Sequence, residues 1–180
     1  MTTPVERFDA AADAAFDRLR GHRLADRLFY AASWAGDWSR IWHVLALVVA
    51  IVSPRRRRAM AQVAICLGVE SLLVNQGLKR LFRRARPTHD GERPHHLRTP
   101  STSSFPSGHA TSAVVAASLL SVTVPKGRAV WWPLAAVIAA SRVHVRIHHA
   151  SDVAGGVVVG AALAAAARRA PGWRAAPGRE

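Results

Sequence analysis

Three stretches of this chain carry residue types that can handle an anion and its protons. The first, Ser103–His109, reads Ser-Ser-Phe-Pro-Ser-Gly-His and feeds the apolar run Ala110–Val122. Pro106 cannot continue a helix from before it. Gly108 permits close backbone approach or a positive φ. The spacing predicts a polar turn entering a helix N-terminus, where free N–H groups and the positive dipole end attract anions. A histidine there, His109, can exchange a proton with the bound anion.

The second stretch, Lys79–Pro87, reads Lys-Arg-Leu-Phe-Arg-Arg-Ala-Arg-Pro. Lys79 and Arg86 are separated by about two helical turns and can point the same way, and Pro87 biases Arg86 out of the helix. Cations held together repel unless an anion sits between them. A guanidinium fork and an ammonium point charge both suit phosphate oxygens. The competing reading is a juxtamembrane patch gripping lipid headgroups. The third stretch, Ser141–Asp152, places His148 four residues before Asp152 and adds a third cation, Arg142. On one helical turn the carboxylate can accept the proton on one imidazole nitrogen, leaving the other as a nucleophilic lone pair. Asp152 also opens an apolar run, so it can cap that helix as well.

Together these stretches supply a cradle of Lys79, Arg86 and Arg142, backbone donors at Ser107 and Gly108, and two histidines from different helices. In-line displacement at phosphorus needs an attacker on one side and a proton donor behind the leaving oxygen. His148 and His109 can fill those positions, and the cations stabilise charge on the equatorial oxygens. The scheme calls for no metal and no cofactor.

Such convergence requires elements that bring distant residues to one layer. The chain has 180 residues, half of them hydrophobic, yet a net charge of +14. Its arginines cluster at the ends of apolar runs and not along one amphipathic face. This favours a membrane with anionic headgroups over nucleic acid as the partner. The single cysteine, Cys66, excludes an intramolecular disulfide. Residues 1–35 are charged throughout, unlike a cleavable signal peptide. Apolar runs at Ile41–Ser53, Ala59–Leu78, Ala110–Val124, Ala129–Val145 and Asp152–Ala167 predict an all-α integral membrane protein of about five transmembrane helices. An N-terminal amphipathic surface helix is expected over Thr3–Leu28. Trp34, Trp38 and Trp42 are expected on one helix face at the membrane interface. Glu70, inside a span, is expected to face other helices or a polar cavity. Gly155, Gly156 and Gly160 should let helices approach closely. The expected division is an interfacial segment 1–40, a membrane domain 41–170 and a basic, disordered tail 171–180. The last four spans alternate across the membrane, so 79–107 and 142–151 emerge on one side. Arg55–Arg58 and Arg168–Arg169 lie at the other ends of the spans. They favour the cytoplasm for that side and the outer face of the cell membrane for the site.

Lys79–Arg86–Pro87, Pro106–Ser107–Gly108–His109, and Ser141–Arg142 with His148 and Asp152 resemble the three signature motifs of the type 2 phosphatidic acid phosphatase superfamily, in residue type, spacing and order. The resemblance spans Ala59 to about Gly160. It implies a helical bundle and metal-independent hydrolysis of a lipid phosphate monoester or diphosphate. It implies a phosphohistidine on His148, oriented by Asp152, with His109 protonating the leaving group. Lys79, Arg86, Ser107, Gly108 and Arg142 would hold the phosphate. Arg146 and His149 depart from the small and aromatic residues of the family pattern, which bears on substrate choice. The shortened chain looks like actinobacterial members, some proposed to dephosphorylate polyprenyl-phosphoryl pentose in cell-envelope synthesis. The alternatives are a glycerolipid phosphatase, acting on phosphatidic acid or phosphatidylglycerophosphate, and a non-catalytic lipid-phosphate-binding membrane protein. A zinc site among His89, His95, His96, His144 and His149 is disfavoured, because adjacent histidines seldom ligate one metal. The spans disfavour the soluble haloperoxidase branch. Oligomeric state is not legible in the sequence.

Overall fold

A computed structural model describes residues 2–89, 93–170 and 173; the expected tail therefore lies outside the described residues apart from Trp173. The described chain is all-helical. α1 (Pro4–Asp17) opens with a capping box, Thr3 and Glu6 each bonding the other's backbone N–H, and with Pro4 in the first turn. The helix expected over Thr3–Leu28 is in fact two. α1 stops at Asp17, Gly21 takes a φ of 80° in the turn that follows, and α2 (Arg23–Gly36) starts anew at the His22 cap. α1 packs on the later helices α7 (Arg128–His144) and α8 (Ala150–Arg169).

Between α2 and α3 (Arg40–Val52) the chain does something the tryptophan spacing conceals. Trp38 and Ser39 both lie in the left-handed region, at φ 57° and 56°. Two such residues reset the helix phase, so the tryptophans do not share a face. Trp42 is wholly buried while Trp34 and Trp38 stay 61% and 67% exposed. Non-glycine residues held left-handed are costly and persist only where their surroundings over-determine them.

α4 (Arg57–Leu72) runs on through a π-helical stretch, Leu73–Leu78, into the short α5 (Lys79–Leu81). α6 (Gly108–Thr123) is the centre of the bundle, buried along almost its whole length and packed against α4, α7 and α8. Its contact with α8 is close because of glycine. A Cβ at Gly156 would lie 2.5 Å from the Ser107 carbonyl oxygen, and one at Gly160 would lie 2.7 Å from that of Thr111. The expectation of close approach at this seam holds.

Among the described residues three helical stretches, 23–52, 54–81 and 150–169, are long and apolar enough to cross a membrane, and α6 is a shorter apolar helix. With them the chain is an integral membrane protein of helical-bundle type. The last residues of α5, the first of α6, the last of α7 and the first of α8 come together at one end, which gathers the three chemical stretches there. Arg55–Arg56 and Arg168–Arg169 lie at the opposite ends of their helices.

Candidate active site

At that end a cavity of about 350 Å³ is walled by Lys79, Gly108, His109, Arg142 and His148, with Glu70 and Asn75 from α4 and its π-helical extension. Lys79, from α5, is 7% exposed, and its Nζ would lie 3.8 Å from a Cβ placed on Gly108. Arg142, near the end of α7, is wholly buried. It donates through Nη1 to Ser33 Oγ, while its Nε and Nη2 have no protein partner. Ser107 Oγ is buried and equally unpartnered. Buried donors are normally satisfied. Orphan donors beside a cavity lined with cations suit a polyvalent anion. Glu70 is buried and reaches the cavity, as expected of an ionisable group within a span.

Asp152 is organised more thoroughly than its sequence position suggests. It sits in the first turn of α8, where its Oδ2 accepts the His149 N–H at 2.8 Å, so it does cap the helix. The same oxygen accepts the hydroxyl of Ser104, and Oδ1 accepts Arg84 Nη1 at 2.7 Å. His148 Nδ1 is 3.7 Å from Asp152 Oδ2 and 3.4 Å from Ser104 Oγ, so the hydroxyl sits within reach of both. On the other side of the ring, Arg86 Nη1 lies 3.2 Å from His148 Nε2. A guanidinium can only donate, which makes Nε2 the lone-pair nitrogen and Nδ1 the protonated one. Burial holds the imidazole of His148 well below its usual range; the hydrogen bond to Asp152 opposes this, and Arg142, Arg86 and Lys79 add to it. His148 is therefore neutral near pH 7.

Arg86 is not part of the cavity wall. Its remaining donors go to the carbonyls of Pro100, Ile147, Thr102 and Ser103, pinning the 100–103 loop over His148. Burial lowers its pKa, with Arg98 adding to that and Asp152 opposing it. Two expectations need correction. The Ser107 N–H is not a free donor for an anion, because it is bonded to the Asp152 carbonyl at 3.0 Å; only the Ser107 hydroxyl remains available. The helix that carries Lys79 does not run on to Arg86, because it ends at Leu81 with Phe82 already extended. Of the two roles open to Gly108, a positive φ is not used; it begins α6 as an ordinary helical residue and leaves an open approach to Lys79.

His109 lines the cavity with its Nε2 turned away, 3.1 Å from the Ser33 carbonyl oxygen and 3.2 Å from Asp37 Oδ1. Sequence reading missed Asp37, Arg84, Ser104 and Asp9. Asp9, from α1, accepts from Ser151 N–H and Oγ and from Arg84 Nη2. No motif marks these four; their partners are distant in sequence. Arg146 and His149, the two departures from the family pattern, serve structure: Arg146 pairs with Asp17 at 2.7 Å, and His149 is the residue that caps α8. His144 pairs instead with Asp26 and stacks on Phe29. No group of three or more metal-ligating side chains converges among the described residues.

Known proteins carry the same architecture. Over 134 residues the chain is 42% identical to decaprenylphosphoryl-5-phosphoribose phosphatase of Mycobacterium tuberculosis, covering 69% of this chain and 68% of that protein. It is 37% identical over 131 residues to the phosphatase of the same name in Mycolicibacterium smegmatis, covering 70% and 68%. In structure it resembles the transmembrane PAP2-type phosphatidylglycerolphosphate phosphatase of Bacillus subtilis, with a TM-score of 0.71 at 24% identity over 93% of this chain and 86% of that one. It is equally similar to Aquifex aeolicus LpxE, with a TM-score of 0.71 at 23% identity over 89% and 94%. At those identities the likeness establishes the fold. The family model of the PAP2 superfamily matches residues 59–176, the segment that contributes every cationic and histidine residue of the cavity wall, and the chain belongs to that superfamily.

Proposed function

We propose that this protein hydrolyses a phosphate monoester on a polyprenyl-linked lipid, with a polyprenyl-phosphoryl pentose phosphate as the substrate. The observation that carries the reading is the cavity in which Lys79, Arg142, His109 from α6 and His148 from the α7–α8 turn meet, with orphan buried donors on Arg142 and Ser107. The mycobacterial relatives, whose names specify that substrate, support its polyprenyl character.

In this reading His148 Nε2 attacks phosphorus, its Nδ1–H being held toward Asp152 and Ser104. Lys79, Arg142 and the Ser107 hydroxyl take the equatorial oxygens at the open face of Gly108, and Arg86 supports the attacking ring and adds positive charge beside it. His109 gives the leaving alkoxide its proton. Water then attacks the phosphohistidine, returning its proton to His109 and freeing inorganic phosphate. All the charge this scheme needs comes from side chains. The site faces the outside of the cell membrane, with the arginine turns at 55–58 and 168–169 in the cytoplasmic headgroups, and α1 lies at the interface beside the site.

The test is phosphate release by purified protein in detergent, in chelator, from a short-chain polyprenyl-phosphoryl pentose phosphate, polyprenyl diphosphate, phosphatidic acid and phosphatidylglycerophosphate. The polyprenyl pentose phosphate should be turned over fastest, and His148→Ala should abolish release. Preference for either glycerolipid would overturn the substrate assignment, and no release from any would overturn the activity.

A further inference from the structure

The first histidine of the cavity has a carboxylate of its own, supplied by a segment that lies outside the matched family region. We infer that Asp37 is a positioning residue for His109: it fixes which ring nitrogen faces the leaving group and stabilises the imidazolium that delivers the proton. The inference rests on the phosphatase reading above and deepens it.

The geometry points one way. Nε2 of His109 has two oxygens within reach, the Ser33 carbonyl at 3.1 Å and Asp37 Oδ1 at 3.2 Å. Both only accept, so Nε2 must carry a hydrogen. The exchangeable proton therefore resides on Nδ1. Asp37 is 5% exposed, so its charge acts with little screening from water.

The backbone is bent to place it there. Asp37 closes α2, its own N–H bonding the carbonyls of Ser33 and Trp34, and the next two residues, Trp38 and Ser39, are both left-handed at φ 57° and 56°. Gly36 presses on the ring itself: a Cβ there would come within 2.6 Å of His109 Cδ2 and 2.9 Å of Ile138 Cγ2. Unfavourable backbone angles clustered beside a reactive group are characteristic of functional sites.

Charge balance explains why the carboxylate is needed. Arg142 from α7 and Lys79 from α5 share the cavity, and Arg98 from the loop lines it too; Glu70 from α4 and the neutral His148 complete its charged and titratable surroundings. Burial, and after it the charge of Arg142, oppose protonation of the His109 imidazole. Asp37 offsets part of that field, and a bound phosphate dianion offsets more, so the proton is loaded onto Nδ1 when substrate arrives. The step balances: the P–O bond breaks with its electron pair on the leaving oxygen, Nδ1 gives its proton to that oxygen, and His109 becomes neutral with Nε2–H still on Asp37.

The experiment compares Asp37→Asn with wild type on two monoesters, an alkyl lipid phosphate and nitrophenyl phosphate. The amide can still accept from Nε2–H but carries no charge. Expected is a kcat loss of about 100-fold on the alkyl ester, within the range for general acid catalysis, and of no more than about threefold on the nitrophenyl ester, whose leaving group needs little protonation. The basic limb of the alkyl-ester pH profile should move to lower pH. Added to His109→Ala, the substitution should cost nothing further. Equal losses on both esters with an unmoved limb, or a further loss in the double variant, would assign Asp37 to scaffolding and overturn the inference. A second measurement needs no variant: in wild-type protein with inorganic phosphate, imidazole nitrogen NMR should show both nitrogens of His109 protonated, and a neutral tautomer there would overturn it. Wild-type turnover of the alkyl ester and its loss in His148→Ala test the activity separately.

Discussion

The two histidine–carboxylate pairs of this site look alike and are built differently. Asp152 is shared. Arg84, Ser104 and the His149 N–H all bond its oxygens, so its charge is largely neutralised before it meets His148. Asp37 has its side-chain hydrogen bond with His109, while Arg142 and Arg98 act on it only through space. A shared carboxylate orients a ring without holding a proton on it, which suits a nucleophile. An undivided carboxylate favours the imidazolium, which suits an acid. The difference teaches that the partner's other bonds, more than the presence of a carboxylate, set what a histidine can do.

The largest effect should come from His148→Ala. It should remove alkali-stable labelling of the protein by radioactive substrate and lower turnover by at least about 10⁴-fold, as deletion of a covalent nucleophile does. Persisting label would assign the nucleophile elsewhere and dissolve the comparison. Asp152→Asn comes next. Its amide no longer accepts from all three donors, so His148 loses the restraint on Nδ1–H, and kcat should fall about 10³-fold. The loss should be the same on alkyl and nitrophenyl esters, because attack is common to both. A leaving-group-dependent loss here would mean that the two pairs do not divide attack from proton delivery.

Gly36→Ala sharpens the other pair without touching any charge. The new methyl meets His109 Cδ2 and Ile138 Cγ2 inside van der Waals distance, so the ring must move off Asp37. Displacements of this order cost about 10- to 100-fold when a reacting group is misplaced. The loss should be concentrated on the alkyl ester. Wild-type kinetics on both esters would show that the ring's placement against α2 is not used.

What the sequence made legible follows from distance along the chain. His148 and Asp152 lie four residues apart across the start of α8, so spacing alone brought them together, and the helix start at Gly108 followed from Pro106 and the apolar run; Lys79 and Arg86 were misjudged, because the helix stops at Leu81 and Arg86 reaches His148 from an extended segment. The small residues of α8 announced a close helix contact, and the structure supplies α6 as the partner. Asp37 could not be paired in this way, because its partner lies in another helix and its placement depends on two left-handed residues with no glycine to mark them. The same break undid the tryptophan face. Arg84 was hidden among four other basic residues of Lys79–Arg86, and Ser104 among the serines before Pro106. The Ser107 N–H looked available because nothing in the sequence says that α8 begins against it.

The smallest effect expected is that of Asp9→Asn, and it tests how far the shared pair extends. Arg84 bridges Asp9 Oδ2 at 2.6 Å and Asp152 Oδ1 at 2.7 Å, so α1 is tied to Asp152 through one guanidinium. Burial alone would raise the Asp9 pKa, but its bonds from Ser151 and its ion pair with Arg84 outweigh that and hold it below the ordinary carboxylate value of 3.8. A carboxyl depressed on folding contributes stability above its unfolded pKa and loses it as pH falls through the folded one. The wild-type protein should therefore lose part of the docking of α1 as pH drops below about 3.8, read as faster cleavage between α1 and α2 by an acid-active protease, and Asp9→Asn should show that cleavage already at neutral pH with its acid dependence flattened. Because Asp152 keeps Arg84, Ser104 and its helix cap, kcat should fall only about threefold, a barrier change of about 0.65 kcal/mol, and equally on both esters. A loss as large as that of Asp152→Asn would mean that Asp9, and with it the N-terminal helix, belongs to the reacting dyad; no change in kcat would end the shared network at Arg84.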